Sequence, residues 1–497
     1  MQSSPKRCRK WRLNSSSSRT TIAPIESCVL PRKKTADKET SLSFFLETIF
    51  PFLLAGCGMV GAGILFDIAQ EWSFFKRIPQ AIMLLPALLG LKGNVEMTLA
   101  SRLSTQAPGC GMVGAGILFD IAQEWSFFKR IPQAIMLLPA LLGLKGNANL
   151  GEMAARHQQI HIACSNLALI QAQSIIVSLF AAIAAIIAYG IETGKWQPEN
   201  SVLLCLTSVA TASMTSLLLG MIMFGVVIVA SRIGLNPDNI TAPIAASLGD
   251  ITALIIMISV GTILLRVQHQ FEVECVALGV WSVASILFVW IASKDKSTAN
   301  VLKNGWYPIF TAMLISSSAG RILKTTVSVF PAVAAFQPVI NGAGGNLVAI
   351  QASRISTELH KFGKFGTLPD NPLSHFTSPL WSFFAKGSEA QVARILVLLV
   401  LPGHAVFMTI IFVSIRSAPV SIPFITAYLT VALVQVIVLL YLCQLMVRAM
   451  WRCKVDPDNS AIPILTALGD LLGTALLAAA FICLNRLSAV NINEHPT

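Results

Sequence analysis

Long apolar runs constrain the fold of this 497-residue chain more than any other feature of its sequence. Crossing the hydrocarbon core of a bilayer takes roughly 20 apolar residues in a helix, which satisfies its own backbone hydrogen bonds. Only 12% of the residues are charged, about half of the share that is usual in soluble proteins. Eleven runs approach the required length, near residues 42–70, 81–104, 162–190, 201–231, 241–266, 275–293, 306–323, 331–353, 391–414, 420–448 and 460–484. We therefore predict an all-α polytopic membrane protein that has the lipid bilayer as its solvent.

The net charge of +12 is concentrated at the N-terminus. Residues 1–41 hold ten lysines and arginines against three acidic residues. We predict a disordered basic tail, which the positive-inside rule keeps on the cytoplasmic or matrix side. A mitochondrial transit peptide is the alternative, because the stretch is rich in arginine and serine and poor in acids. The plasma membrane and the mitochondrial inner membrane both stay open, and no nucleic-acid partner is expected because no folded basic domain follows.

One internal repeat is an identical copy. Residues 56–94 recur letter for letter at residues 109–147, whereas structural repeats that diverged long ago do not stay identical over such a length. The second copy also lacks the apolar residues that precede the first, so its leading apolar stretch is short for a membrane span. We interpret residues 108–148 as a duplicated insert and residues 42–107 as the functional version, so that removing the insert joins Ala107 to Asn149.

A second repeat is diverged and relates the two halves of the chain. Residues 86–105 align without gaps with residues 338–357, and residues 236–250 align with residues 456–470. We predict two related five-helix units at 42–266 and 306–485, a linker at 267–305 that holds one transmembrane helix, and a C-terminal tail at 486–497. A single linking span inverts the second unit relative to the first, and such inverted repeats are known in transporters.

Asp250 and Asp470 occupy the same place in the two repeats, inside otherwise apolar helices. A bare carboxylate at mid-bilayer costs at least about 3 kcal/mol on insertion scales, so it has to face a polar cavity or a cation. A structural ion pair with a lysine or arginine is the alternative, but the apolar runs hold few basic residues. Paired carboxylates suit a hard divalent cation: Mg²⁺ is favoured and Ca²⁺ stays open, whereas no histidine and cysteine set favours zinc, copper or iron.

A proline, two glycines and an asparagine recur at matching positions in the two repeats. Proline removes a backbone hydrogen bond and glycine allows backbones to unwind or approach closely. We predict broken helices at 86–94 and 338–346, with carbonyl and amide oxygens lining a pore; close helix packing through glycine is the alternative. The predicted pore-lining residues are Pro86, Gly90, Gly93, Asn94, Pro338, Gly342, Gly345 and Asn346.

The sequence contains no evident motif for ATP-driven transport or for catalysis. Nothing resembles a phosphate-binding loop, so direct ATP drive is unsupported. No nucleophile motif or metal-hydrolase spacing occurs either. We expect a chain that is not an enzyme and that needs no cofactor.

The two repeat motifs resemble those of solute carrier family 41, eukaryotic relatives of the bacterial MgtE magnesium channels. The resemblance covers roughly residues 42–485 apart from the insert, and it rests on PALLGLKGNVEMTLASRLST, PVINGAGGNLVAIQASRIST and the two segments that end in Asp250 and Asp470. It implies Mg²⁺ transport with the cation held near Asp250 and Asp470. It also implies two MgtE-like units in one chain, so that an oligomer is not required.

The resemblance further suggests sodium-coupled Mg²⁺ efflux, with Na⁺ as the coupling ion. Two alternatives stay open: a passive Mg²⁺ channel, and a non-transporting form whose fold the insert disrupts. The chain has no room for the cytosolic regulatory domains of bacterial MgtE, so their gating does not carry over.

Overall fold

The computed structural model describes residues 41–91, 150–233, 237–267, 271–363, 365–368, 378–385, 387–415 and 421–493. Every regular element within these ranges is a helix. The basic tail before residue 41, the insert at 108–148, and Gly93 and Asn94 lie outside them. The helices are α1 (Ser41–Ala69), α2 (Ser73–Arg77), α3 (Gln80–Leu91), α4 (Leu150–Thr193), α5 (Pro198–Ile233), α6 (Pro237–Val267), α7 (Phe271–Ser293), α8 (Lys296–Asn304), α9 (Trp306–Val329), α10 (Val333–Phe362), α11 (Pro379–Phe384), α12 (Ser388–Ser414), α13 (Ile422–Arg452) and α14 (Pro457–Asn493).

Nine helices in the described ranges are long and apolar enough to cross a bilayer. They are α1, α4, α5, α6, α7, α10, α12, α13 and α14, so the prediction of an all-α polytopic membrane protein is confirmed. The predicted run at 306–323 forms α9, which is more polar because it carries Arg321, Lys324 and three consecutive serines. The run at 81–104 begins as α3 and then leaves the described residues at Leu91. The C-terminal boundary predicted at 485 falls inside α14, which continues to Asn493.

The two halves pack their helices in matching pairs. In the first half α1 contacts α6, and α5 contacts both α4 and α6; in the second half α9 contacts α14, and α13 contacts both α12 and α14. The two halves also contact each other, because α1 packs against α12 and α9 packs against α4. Helix α7, from the linker, packs against α4, α5 and α8. These pairings are what two related halves in one bundle would produce.

Two glycines repeat the same close contact between the halves. A Cβ on Gly63 in α1 would overlap the carbonyl oxygen of Ala335 in α10, and a Cβ on Gly320 in α9 would overlap the carbonyl oxygen of Met83 in α3. Met83 and Ala335 each lie three residues before the aligned prolines. Small residues let membrane helices approach this closely. The contact aligns Gly63 with Gly320, which are 257 positions apart.

Apolar side chains form both the interior and the outer surface of the bundle. Phe336 of α10 packs edge-on against Phe424 and Tyr428 of α13, with ring centroids 5.0 and 5.4 Å away. On α7, by contrast, Val283 and Ile286 are 67% and 68% exposed. Large exposed apolar side chains on a helix of this length fit contact with lipid. The described part of the chain therefore has a packed interior and an apolar outer face.

The predicted helix break at 338–346 is wrong. Helix α10 runs without interruption from Val333 to Phe362 and contains Pro338. The proline lies in the second turn, so only one intrahelical bond is lost. Close packing, the alternative interpretation, applies to Gly342, because a Cβ there would lie 2.5 Å from Met59 Sδ of α1. Helix α3 is likewise continuous across Pro86 as far as Leu91.

Candidate functional site

A cavity of about 60 Å³ lies where α1, α3, α6, α10 and α14 converge. A site for a single water needs about 10–15 Å³ on this scale, so the cavity has room for an ion with part of its water. Both predicted aspartates and six of the eight predicted pore-lining residues line it, while Gly93 and Asn94 lie outside the described residues. The lining residues are Met59, Pro86, Leu89, Gly90, Asp250, Gln337, Pro338, Asn341, Gly342, Gly345, Asn346, Thr466 and Asp470.

Asp470 is held by a contact that the sequence motifs do not reveal. The hydroxyl of Ser316 in α9 donates a hydrogen bond of 2.9 Å to Asp470 Oδ2. Gly90 in α3 leaves room for this pair, because a Cβ there would lie 2.8 Å from Asp470 Oδ2 and 3.1 Å from Ser316 Oγ. The contact therefore fixes the orientation of the Asp470 carboxylate.

Neutral polar side chains lie in the lining of the cavity and beside it. Asn341 Nδ2 donates to Thr474 Oγ1 over 3.0 Å, and Gln435 Nε2 donates to the Gly469 carbonyl oxygen over 3.0 Å. Among the described residues, Asn341 Oδ1 and Asn346 Nδ2 are buried without a hydrogen-bond partner. Buried polar atoms are normally satisfied by protein or ordered water. A cavity that holds an ion and its water would satisfy them.

The charges of the lining have one sign. Asp250 and Asp470 bring two carboxylates to the cavity, and none of the described lining residues is basic. The other potential metal ligands in the lining are the oxygens of neutral side chains and the thioether sulfur of Met59. Carboxylate, amide and hydroxyl oxygens are the ligands of hard cations such as Mg²⁺ and Ca²⁺. Within the described residues, the arrangement favours one divalent cation over an anion or a soft metal.

A separate group of ionisable side chains lies at the turn between α13 and α14. His360 Nε2 is 3.3 Å from Asp456 Oδ1 and 3.7 Å from Asp458 Oδ2. Asp456 also accepts hydrogen bonds from the Asp458 backbone N–H at 3.2 Å and from Asn459 Nδ2 at 2.8 Å. An acceptor in this place satisfies the free N–H groups at a helix start. The group therefore acts as a cap for α14, in contact with solvent.

Comparison with known proteins places this chain in a transporter class. The profile of the MgtE family, described as divalent cation transporter, matches residues 138–260 and 337–480. These two stretches together cover more than half of the chain, with one match in each predicted unit. The first match begins within the second copy of the identical repeat, whereas the cavity uses Pro86 and Gly90 of the first copy. The chain is thus a polytopic membrane protein of the divalent cation transporter class.

Relatives identify the family within this class. Solute carrier family 41 member 2 from Homo sapiens is 42% identical over 448 residues, which cover 89% of this chain and 71% of the relative. Member 3 from Mus musculus is 38% identical over 447 residues, which cover 89% of this chain and 83% of the relative. The chain belongs to solute carrier family 41. The resemblance to the family also suggests member 3, but the identities of 42% to member 2 and 38% to member 3 do not favour that assignment. No solved structure matches the chain.

Proposed function

We propose that this chain is a Mg²⁺ transporter that binds one cation at a time between Asp250 and Asp470. The observation that carries the proposal is that aspartates 220 positions apart, at equivalent places in the two repeats, line one cavity of about 60 Å³. Two carboxylates sharing a small cavity repel each other, and a divalent cation removes that repulsion. Mg²⁺ keeps several of its waters and needs only one or two carboxylates from the protein.

The architecture supports transport through the middle of the bundle. The equivalent contacts of Gly63 and Gly320, and the two separate profile matches, support two related units in one chain. We propose that the units are inverted with respect to each other, with α7 as the linking span. Inverted repeats commonly place the substrate at their interface and alternate access by rocking one unit against the other. In this arrangement a second copy of the chain is not required for the site.

Ion flux through the purified protein tests the proposal. Full-length protein in liposomes that contain a Mg²⁺-sensitive dye should show Mg²⁺ uptake, and Asp250→Asn or Asp470→Asn should reduce it at least tenfold. Glu192→Gln is the matched control. Glu192 Oε1 forms an ion pair with Lys324 Nζ over 2.9 Å, and neither residue lines the cavity. Wild-type flux in both aspartate variants would refute the site. A lack of flux in wild-type protein, restored by deleting residues 108–148, would show instead that the insert inactivates this form.

Coupling to sodium forms a second arm of the same experiment. We propose Na⁺-coupled exchange, with Mg²⁺ leaving the cell as Na⁺ enters. Imposing a Na⁺ gradient across the liposomes should then accelerate Mg²⁺ movement in the opposite direction. A rate that is the same with Na⁺, K⁺ or choline would support a passive channel.

Imaging a tagged chain beside plasma-membrane and mitochondrial markers decides between the two membranes that the basic tail leaves open.

A further inference from the structure

A group of four buried neutral side chains lies beside the cavity in the second half of the chain. Asn341 Nδ2 donates to Thr474 Oγ1 over 3.0 Å, and Gln337 Nε2 donates to the same oxygen over 3.5 Å. Gln435 of α13 lies on the other side of Asn341 and donates its Nε2 to the Gly469 carbonyl oxygen. None of the four side chains is more than 4% exposed. Gln337, Asn341, Gln435 and Thr474 together form the polar pocket.

The first half has leucines where the second half has three residues of the polar pocket. The gapless alignment of the two repeats, extended along the same continuous helices, gives three such pairs. They are Asn341 with Leu89, Gln337 with Leu85, and Thr474 with Leu254. Helix packing at these positions therefore does not require polar side chains. The two halves share the aspartates of the cavity, whereas the polar pocket belongs to the second half alone.

Two amide oxygens of the polar pocket have no partner. Among the described residues, Asn341 Oδ1 and Gln435 Oε1 are buried without a hydrogen bond. Both amide groups approach Gly473 of α14, because a Cβ there would lie 2.5 Å from Asn341 Oδ1 and 2.6 Å from Gln435 Nε2. The paired residue of the first half is Ala253, which has the Cβ that Gly473 lacks. Buried acceptors of this kind are normally satisfied, so they indicate a small bound ligand.

The chemistry of the polar pocket favours a monovalent cation. Its free atoms are amide oxygens, which accept and do not donate, so an anion is excluded. None of the four side chains titrates near neutral pH, so the pocket is not a proton site. A second divalent cation is disfavoured because the four side chains bring no carboxylate to it. Neutral oxygens beside the substrate cavity hold Na⁺ in other transporters.

We propose that the polar pocket binds Na⁺, with Asn341 Oδ1 and Gln435 Oε1 as ligands. This inference rests on the proposed function, because it supplies a site for the coupling ion. Asn341 also lines the cavity proposed to hold Mg²⁺, so the two cations share one wall and repel each other at short range. Each ion should then weaken the binding of the other by the same factor. Such mutual exclusion is what an exchange of Mg²⁺ against Na⁺ requires.

Competition between the two ions in the purified full-length protein tests the site. Calorimetry measures the dissociation constant for Mg²⁺ in Na⁺, K⁺ and choline buffers of equal ionic strength. In the wild type, Na⁺ should raise this constant and K⁺ should have a much smaller effect. Gln435→Leu removes one proposed ligand, and about tenfold more Na⁺ or beyond should be needed for half of the effect.

Gln444→Leu is the matched control for the glutamine substitution. Gln444 is also a buried glutamine of α13, and its Nε2 donates to the Ser382 carbonyl oxygen over 3.2 Å. It does not line the cavity. Na⁺ should therefore compete with Mg²⁺ in Gln444→Leu as it does in the wild type.

Two further variants separate a ligand from a structural hydrogen bond. Gly473→Ala puts a Cβ against Asn341 Oδ1 and copies the residue of the first half, so it should also weaken the Na⁺ effect. Gln435→Glu keeps an oxygen but loses the N–H that donates to Gly469. A Na⁺ ligand at position 435 predicts that Gln435→Glu keeps or strengthens the effect. A purely structural glutamine predicts instead that Gln435→Glu behaves like Gln435→Leu.

Thermal unfolding without Mg²⁺ gives a readout that does not depend on transport. Relative to choline, Na⁺ should raise the unfolding temperature of the wild type and of Gln444→Leu, but not that of Gln435→Leu. Equal unfolding temperatures and equal Mg²⁺ affinities in Na⁺ and choline would show that the pocket holds only water. That result, or a Na⁺ effect retained in full by Gln435→Leu and Gly473→Ala, would overturn the inference while Mg²⁺ transport stands. Wild-type flux in the aspartate variants would overturn the Mg²⁺ site instead, whether or not Na⁺ binds.

Discussion

Gly90 and Asp470 approach so closely that an alanine at position 90 would collide with the carboxylate. The added Cβ would lie 2.8 Å from Asp470 Oδ2, and real Cβ atoms do not come so near without displacing something. The oxygen that would have to move is the one that Ser316 holds. The glycine of the first repeat therefore makes room for the aspartate of the second.

We predict that Gly90→Ala impairs Mg²⁺ transport more than it impairs folding. Displacing the Asp470 carboxylate should raise the half-saturating Mg²⁺ concentration by about 10-fold or more, as expected when a metal ligand loses its orientation. Liposome flux measures the effect. Gly279→Ala in α7 is the control, since a Cβ there meets nothing within 4 Å. Equal flux in the two alanine variants would contradict the role of Gly90.

The close contacts of Gly63 and Gly320 predict a loss of stability. A Cβ at either position would overlap a backbone carbonyl oxygen of the other half, and a backbone cannot rotate away as a side chain can. Overpacking typically costs about 1–3 kcal/mol and occasionally more. Gly63→Ala and Gly320→Ala should each unfold at a lower temperature in detergent, whereas Gly279→Ala should unfold at the wild-type temperature or above. If Gly63→Ala and Gly320→Ala both unfold at the wild-type temperature, the close packing of these two glycines is contradicted.

Most of the residues that line the cavity could be predicted from the sequence, because two sequence features impose strong physical constraints. Asp250 and Asp470 are expensive in a bilayer unless they face a polar space. Pro86, Gly90, Pro338 and their neighbours recur at matching spacing, which links each helix to its counterpart. Residues under such constraints can be recognised from the sequence alone. The individual contacts between α3, α10 and α14 cannot.

Ser316, by contrast, could not be recognised from the sequence. A serine or threonine in a helix commonly donates to a carbonyl of its own helix, as Ser318 and Thr326 do in α9. The partner of Ser316 is 154 residues away, so no local spacing reveals it. Asn341 and Gln337 escaped notice for the same reason. The continuous helix through Pro338 was missed because packing against α14 outweighs the single hydrogen bond that proline removes.

A buried ion pair between α12 and α13 gives the last prediction. Arg448 donates to the Glu389 carboxylate, and their side chains are only 6% and 19% exposed. Removing one partner leaves a buried charge, which typically costs about 3–5 kcal/mol, whereas replacing both by apolar residues is often neutral. Arg448→Met should therefore lower the unfolding temperature strongly, and the double variant with Glu389→Leu should recover much of the loss. Lys76→Gln is the contrast, since the exposed Lys76–Glu71 pair at 2.7 Å should contribute about 0–1 kcal/mol. An Arg448→Met variant no less stable than Lys76→Gln would show that the pair does not hold α12 to α13.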